Sequence, residues 1–331
     1  MKNKNQKHNN RYKIYFNKYN KQLFSIVLFI LLLIIYSKVH PRGLSTYVLT
    51  ILSNQGVGLA FPSIGQTIVM LTSGIDLSIG GIFSLTNTIA SELVDGSISM
   101  ITLGLITVIL VGGICGLING LIIVFGKIQP IIATLSTGYI YSGIALYIRP
   151  VTGGHVNENL SSALTYDLIG IPCSLILLIL IVILIWAPLK YSKYGISIYS
   201  TGSSENSAFM SGVPIKKAKI IAYSIAGIFA AFGGLFVSFQ TMTGDAFVGS
   251  MYTTNSIAAS VLGGTSLLGG VGGVIGTVLG SFNLRMMSSI MFFTGVPPLA
   301  QPLFEGLLLI IALALGSTRL IGIKNRLEIL G

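Results

Sequence analysis

Ser73-Gly74-Ile75-Asp76-Leu77-Ser78-Ile79-Gly80-Gly81 places one carboxylate inside a long uncharged stretch. No charge occurs from Gly43 to Ile75, and the next after Asp76 is Glu92. A carboxylate at membrane depth is costly unless it is paired, capped or wet. Gly74 and Gly80 let the backbone leave plain helical geometry on either side of it. The stretch therefore predicts a broken helix with an acidic cap, a device with which many transporters line a pathway. Two roles are open to Asp76. It caps a half-helix beginning at Leu77, with Ser78 helping, or it lines a path and carries a conformational switch. Both follow from the cost of desolvating a free carboxylate.

The rest of the chain sets this stretch in a membrane. Of 331 residues, 52% are hydrophobic and 9% are charged, and the mean hydropathy is +0.84. Soluble domains carry roughly 25% charged residues. The expectation is an all-α, polytopic membrane protein. Charge-free runs mark the spans: Gln22–Ser37, Gly43–Ile75, Gly96–Gly126, Ile128–Ile148, Leu168–Leu189, Ile220–Gly244, Ala246–Leu284 and Met286–Phe304, then Gly306–Thr318 after Glu305. One crossing needs about 20 apolar residues. Gly43–Ile75 and Ala246–Leu284 are too long for one helix, and each is expected to hold a helix plus a half-helix or re-entrant piece. Gly263, Gly264, Gly269, Gly270, Gly272, Gly273, Gly276 and Gly280 support this for the second run, although small residues at such spacing also serve close helix packing. About eight to ten transmembrane helices are expected at this length per crossing.

Basic residues give the orientation. Met1–Lys21 carries seven Lys/Arg and no acid, Lys190–Lys219 five and one, Arg319–Gly331 three and one. These segments hold 15 of the 20 basic residues and are expected to be cytoplasmic, as are both termini. The organisation is thus a basic tail (1–21), a transmembrane domain (22–318) with a cytoplasmic loop (190–219), and a C-terminal tail (319–331). The net charge of +11 is topological and gives no indication of nucleic-acid binding, while the basic tail suits anionic membrane lipid. Gln22–Ser37 reads as a first membrane helix rather than a cleaved signal. Cys115 and Cys173 read as small core residues, and His8, His40 and His155 are scattered, so no metal site is indicated.

No stretch assembles a catalytic Ser/His/Asp or paired-carboxylate site, so no catalytic residue is assigned. No Gly-x-x-x-x-Gly-Lys-Ser/Thr phosphate loop occurs, and the longest polar interior stretch is about 30 residues, Lys190–Lys219. If ATP drives this protein, another chain must hydrolyse it. Within the loop, Ser203 or Ser204 can cap a helix, Glu205 suits its first turn, and Gly212 and Pro214 end it. A helix over Ser204–Ser211, with Asn206 and Ser207 on it and Phe209 and Met210 making it apolar on one side, is too short to stand alone in water and must dock on something. Among polar residues in apolar runs, Gln66, Thr72, Asn87, Asn119 and Gln129 either bridge helices or meet a passing solute. Tyr139 and Tyr141 read as interfacial anchors, and Arg285 as a snorkelling side chain.

Several motifs together give a resemblance over about residues 44–316. Leu71-Thr72-Ser73-Gly74-Ile75-Asp76-Leu77-Ser78-Ile79-Gly80, Asn119-Gly120, Ile132-Ala133-Thr134-Leu135, Tyr194-Gly195, Gly202, Glu205, Ser211-Gly212-Val213 and Ile257–Gly270 resemble the membrane-permease subunit of sugar ABC importers of the ribose/xylose/galactose type. These sit in a wider permease family that also serves branched-chain amino acids. The resemblance implies two permease chains forming the path, two ATPase subunits with ATP and magnesium, and an extracytoplasmic sugar-binding protein. It implies that Ser204–Ser211 is the coupling helix, with Ser204, Glu205, Asn206, Ser207, Phe209, Met210 and Gly212 facing the ATPase. Pathway or helix-break residues are then Gly74, Asp76, Ser78, Gly80, Asn87, Asn119, Gln129, Gly263, Gly264, Gly269 and Gly270. The protein itself would be a transport subunit without cofactor, in a bacterial cytoplasmic membrane. The chain departs from the pattern at Ser203-Ser204 and Asn206-Ser207, at Val271-Gly272-Gly273 and at Glu305. A standalone ion-coupled transporter, a lipid-acting membrane enzyme, and amino-acid or nucleoside cargo stand as alternatives.

Overall fold

The computed structural model describes residues 23–304, 306, 307 and 310. The two basic tails and Glu305 lie outside the described residues. The architecture is helical: α1 (Leu23–Val39), α2 (Thr46–Met70), α3 (Ile79–Leu93), α4 (Ile98–Gly126), α5 (Pro130–Ile148), α6 (Glu158–Thr165), α7 (Cys173–Ile181), α8 (Ala187–Tyr191), α9 (Lys193–Ser203), α10 (Glu205–Met210), α11 (Ile215–Thr241), α12 (Ser250–Leu262) and α13 (Val274–Phe293). Two-residue strands β1 (Asp167–Leu168) and β2 (Ile171–Pro172) form a hairpin whose turn residues Ile169 and Gly170 both have positive φ.

Local chemistry explains the helix ends. Ser45, Ser97 and Asn157 cap α2, α4 and α6 by accepting from Val48, Met100 and Leu160 N–H groups. Pro130 opens α5 at a position where its missing N–H costs nothing. Between α7 and α8 the chain widens into a π-helical turn, Val182–Trp186. Pro188 follows, and its ring would clash with the carbonyl four residues back in a regular helix.

Among the described residues, five helical segments are long and apolar enough to cross a membrane: α4, α5, the continuous Cys173–Tyr191, α11 and α13. Helix α2 is as long but buried almost throughout, packed by α11, α12 and α13. The outward faces of α4, α5 and α7 are apolar, with Leu103, Leu110, Ile114, Ile140 and Ile179 exposed. Helices α3 and α12, of 15 and 13 residues, are about 22 and 20 Å long. Both fall short of the ~30 Å hydrocarbon core. Helix α12 is the half-helix expected within Ala246–Leu284, but Gly43–Ile75 holds α2 alone, because the chain turns after Leu71 and starts no second helix before Asp76. The half-helix expected after Asp76 is α3, which begins at Ile79 rather than Leu77 because the Asp76 carboxylate accepts from Ser78. The 190–219 loop holds a helix more than expected, α9 before α10.

Backbone contacts hold α4 and α11 together. A Cβ on Gly112, Gly116 or Gly227 would overlap the facing main chain at Gly227, Tyr223 and Gly112 respectively. At the opposite end from α9 and α10, Gly153 pairs with Gly244, and Arg149 forms an ion pair with Glu92.

Candidate functional site

The break between α2 and α3 is built as a capped turn. Helix α2 stops at Leu71, and Ser73 takes a left-handed conformation (φ 63°) that reverses the chain. Asp76 Oδ1 accepts from the Ser78 N–H at 2.9 Å and from Ser78 Oγ at 2.6 Å. The carboxylate thereby occupies the positive end of the α3 dipole. Ser78 Oγ accepts in turn from Asn119 Nδ2 at 2.7 Å, and the Tyr141 hydroxyl donates to Asn119 Oδ1 and to the Cys115 carbonyl. Thr134 Oγ1 accepts from the Leu77 N–H at 3.0 Å. Helices α4 and α5 therefore clamp the break through side chains, which offsets the desolvation of Asp76. Asp76 Oδ2 and the Tyr223 hydroxyl remain buried without partners. Gly74 lies against that hydroxyl, where a Cβ would stand 2.6 Å from it.

Helices α9 and α10 form a small outlying pair. Ser192 caps α9 through the Tyr194 and Gly195 N–H groups, and Ser204 caps α10 through Ser207. Glu205 pairs with Lys219 on α11 at 2.8 Å, tying α10 to the base of a long span. Gly212 (φ 74°) ends the unit, and the Val213 N–H closes onto the Ala208 carbonyl. Phe209 and Met210 are 75% and 88% exposed. Asn206 is exposed beside them. Two large apolar side chains thus stand exposed side by side on a six-residue helix, a pattern typical of interaction surfaces.

The two features meet. Ser73 Oγ donates to the Gly202 carbonyl at 3.1 Å and to the Leu268 carbonyl at 2.8 Å. The Gly270 N–H donates to the Leu71 carbonyl at 3.1 Å, and the Tyr199 hydroxyl to the Gly272 carbonyl at 3.0 Å. Burial pushes the Tyr199 hydroxyl pKa up, which keeps it a donor at neutral pH. The α12–α13 loop packs against both the break and α9, and Gly264, Gly269 and Gly270 all take positive φ within it. A Cβ on Gly202 would overlap the Leu71 carbonyl, so α9 sits directly on the broken helix.

Among the residues singled out in the sequence, Gly74, Asp76, Ser78, Gly80 and Asn119 gather at the break. Gly263, Gly264, Gly269 and Gly270 lie at or beside the junction, Gly263 against Gly276 of α13. Asn87 stands apart: it donates to the Gly234 carbonyl and accepts from the Asp245 N–H, joining α3 to α11 and the loop after it. Gln129 is exposed at the start of α5 and is not brought to the break. Gln66 is buried with neither end of its amide partnered. Tyr139 is exposed, whereas Tyr141 points inward to Asn119, so the two do not form one interfacial anchor. Arg285 does not sit at a helix end: it lies mid-way along α13 with its guanidinium over the Tyr252 ring. Ser73, Thr134, Tyr199 and Gly202 make contacts at the break and junction without having been assigned a role there from residue type, and Tyr141 joins them although it was read as an anchor. For Ser73 and Gly202 the available signal was adjacency to a glycine and a cap.

The family described as branched-chain amino acid transport system / permease component matches residues 48–313. The chain is 32% identical over 294 residues to the ribose import permease protein RbsC of Haemophilus influenzae, covering 87% of this chain and 90% of that one. It is 30% identical over 306 residues to the ribose import permease protein RbsC of Bacillus subtilis, covering 92% and 95%. It is 31% identical over 299 residues to the autoinducer 2 import system permease protein LsrC of Escherichia coli O9:H4, covering 89% and 86%. No solved structure matches the chain.

Proposed function

Because the chain belongs to the branched-chain amino acid transport system / permease component family, we propose that it forms the translocation path of an ATP-driven importer, with ribose or a related monosaccharide as cargo. Relatives named for ribose and autoinducer 2 import support a sugar-like solute. The observation that carries the reading is the link from Ser73 to Gly202, which ties the capped break of α2 and α3 directly to the α9–α10 pair. A partner pressing on Phe209 and Met210 moves α9, and α9 moves the break. The chain is a transport subunit and not an enzyme.

In this reading the α9–α10 end and both termini face the cytoplasm of a bacterial inner membrane, as the basic residues direct. An ATPase subunit supplies ATP and magnesium, an extracytoplasmic binding protein delivers the sugar, and a second permease copy completes the path. ATP binding and release then alternate access across the break, each state being favoured by what it contacts.

ATPase activity in proteoliposomes tests this. The chain is reconstituted with its neighbouring-gene ATPase and binding proteins loaded with ribose, xylose or galactose. Stimulation by one loaded binding protein, lost on disruption of Glu205–Ser211, is the expected result. An ATPase that does not associate, with a lone chain moving solute down an ion gradient, would replace the importer with a secondary transporter.

A further inference from the structure

Arg285 is a charge at mid-helix without a counter-charge. It lies eleven residues into α13 and eight before its end at Phe293, about 16 and 12 Å from the two ends. That is beyond the reach of a side chain seeking the interface. Among the described residues it forms no ion pair and donates no hydrogen bond, and its Nε is buried and unpartnered. A lone guanidinium at this depth is expensive and marks a functional position.

Its surroundings fix its direction. Phe83 stacks on one face of the Tyr252 ring, with centroids 4.1 Å apart and planes 18° from parallel. That leaves the other face to the Arg285 guanidinium, 5.2 Å from the centroid. The sandwich holds the cation still without neutralising it. One turn further along α13, Ser289 Oγ donates to Gln55 Oε1 of α2, and Gln55 is exposed. The exposed Gln55 and the half-buried Ser289 and Arg285 contrast with the apolar outer faces of α4, α5 and α7.

A second copy of the chain offers no obvious counter-charge. Of the described acids, Asp76 is buried in its own cap, Glu92 and Glu205 are already paired, and Asp95, Glu158 and Asp167 sit at helix ends or in the hairpin. Asp245 lies in the α11–α12 loop, bound to the Phe247 N–H. Among the described residues, then, no acid is placed to pair with Arg285.

We propose that Arg285, oriented by Tyr252 and flanked by Gln55 and Ser289, is a pathway subsite for an oxyanion carried on a sugar, a carboxylate or phosphate. A planar guanidinium takes either oxyanion bidentately, and the amide and hydroxyl beside it suit the sugar hydroxyls. The proposal rests on the importer reading and extends its cargo to related sugars that carry an oxyanion.

The test uses the purified full-length chain in phosphatidylcholine nanodiscs, with unfolding followed by the fluorescence of Trp186, the single tryptophan. The probes are ribose, ribonate, ribose 5-phosphate and inorganic phosphate at equal ionic strength. Ribonate or ribose 5-phosphate is expected to raise the midpoint saturably, with ribose and inorganic phosphate giving much smaller shifts. Arg285→Gln is expected to weaken that response roughly tenfold or more, the worth of a charge-assisted hydrogen bond. Arg285→Lys is expected to keep part of it. Gln55→Leu, on an exposed position, serves as the second variant and should weaken the response without lowering the ligand-free midpoint. No shift with either anionic sugar, an equal shift in Arg285→Gln, or an equal shift with inorganic phosphate overturns the proposal. Co-purification with the ATPase is scored separately. Failure there sinks the importer reading and leaves the ligand shift standing, whereas an assembled, stimulated complex with no anionic-sugar shift sinks only the subsite.

Discussion

The Ser73 hydroxyl donates to the Gly202 carbonyl, 129 residues away, and so joins the break in the α2–α3 pair to the last turn of α9. The same hydroxyl reaches the Leu268 carbonyl, placing three separate segments on one side chain. Removing the hydroxyl should therefore uncouple before it unfolds. Ser73→Ala is expected to cost about 1 kcal/mol of stability, the worth of a net hydrogen bond. It should abolish stimulation of the ATPase by loaded binding protein while leaving basal ATP hydrolysis. Ser73→Gly should lose the same stimulation yet be more stable than Ser73→Ala by about 1 kcal/mol, because glycine takes the left-handed conformation without strain. Thermal unfolding and stimulated ATPase rates, measured on both variants, check this. Full stimulation in either would break the link.

Asp76 tests the cap. Asparagine keeps an oxygen that can accept from both Ser78 groups, so Asp76→Asn is expected to stay within about 1 kcal/mol of the parent. Asp76→Ala leaves the Ser78 N–H and hydroxyl without their acceptor and should cost about 2–4 kcal/mol, from two buried groups at roughly 1–3 each less relaxation. Unfolding midpoints in detergent separate the two. A stable Asp76→Asn chain that transports nothing would assign the charge a transport role beyond capping.

The Glu205–Lys219 pair is largely exposed on the glutamate side, so its worth to stability is small, about 0.2–1 kcal/mol. Its effect is on the pose of α10. Glu205→Lys should lower the salt-dependent affinity for the ATPase while barely moving the unfolding midpoint, and the charge-swapped double variant with Lys219→Glu should recover much of it. Binding measured across a salt series decides between this and a pair that contributes nothing.

Phe209 and Met210 are the proposed anchors, and no described residue of their own chain covers them. Truncating Phe209 to alanine is expected to weaken ATPase association by about tenfold or more, as for a central interface side chain, with stability unchanged within ~0.5 kcal/mol. Association unaffected by the double truncation would move the docking surface elsewhere.

Gly227 has no room for a side chain. Gly227→Ala would drive a methyl group into the Gly112 carbonyl and is expected to destabilise by about 1–3 kcal/mol through forced separation of α4 and α11. A midpoint equal to the parent's would mean that those helices yield easily.

Much of this was legible in the residues. The uncharged runs are long because lipid tolerates few charges, so spans and their excess length stand out in the sequence. Excess run length pointed to α12 within Ala246–Leu284 but misled for Gly43–Ile75, which holds α2 alone, whereas Asp76 with Ser78 marked both the cap and the start of α3. The α9 helix was less visible, because Lys193–Ser203 mixes glycine, serine and tyrosine and lacks a clear apolar stripe; its cap at Ser192 was the overlooked sign. Periodicity also could not place Asn87 or Gln129, since the same amide type serves as a bridge in one and lies exposed in the other. Arg285 was read by its cost alone, which forecasts an escape to the interface; the Phe83 and Tyr252 rings that hold it in place are distant in sequence. The junction at Ser73, Gly202 and Leu268 lies furthest from sequence reasoning, because main-chain carbonyls carry no residue signature.

The glycine seam between α4 and α11 has a mechanical meaning. With main chain resting on main chain at Gly112, Gly116 and Gly227, little side-chain matter between the two helices can be compressed. Under the proposed coupling they would bend as one beam. Because α11 begins five residues after α10 ends, with the Glu205–Lys219 pair setting the pose between them, the beam's lower end would also be its handle. A push delivered there would reach the far rim as a tilt of the beam, with little lost to compression between α4 and α11.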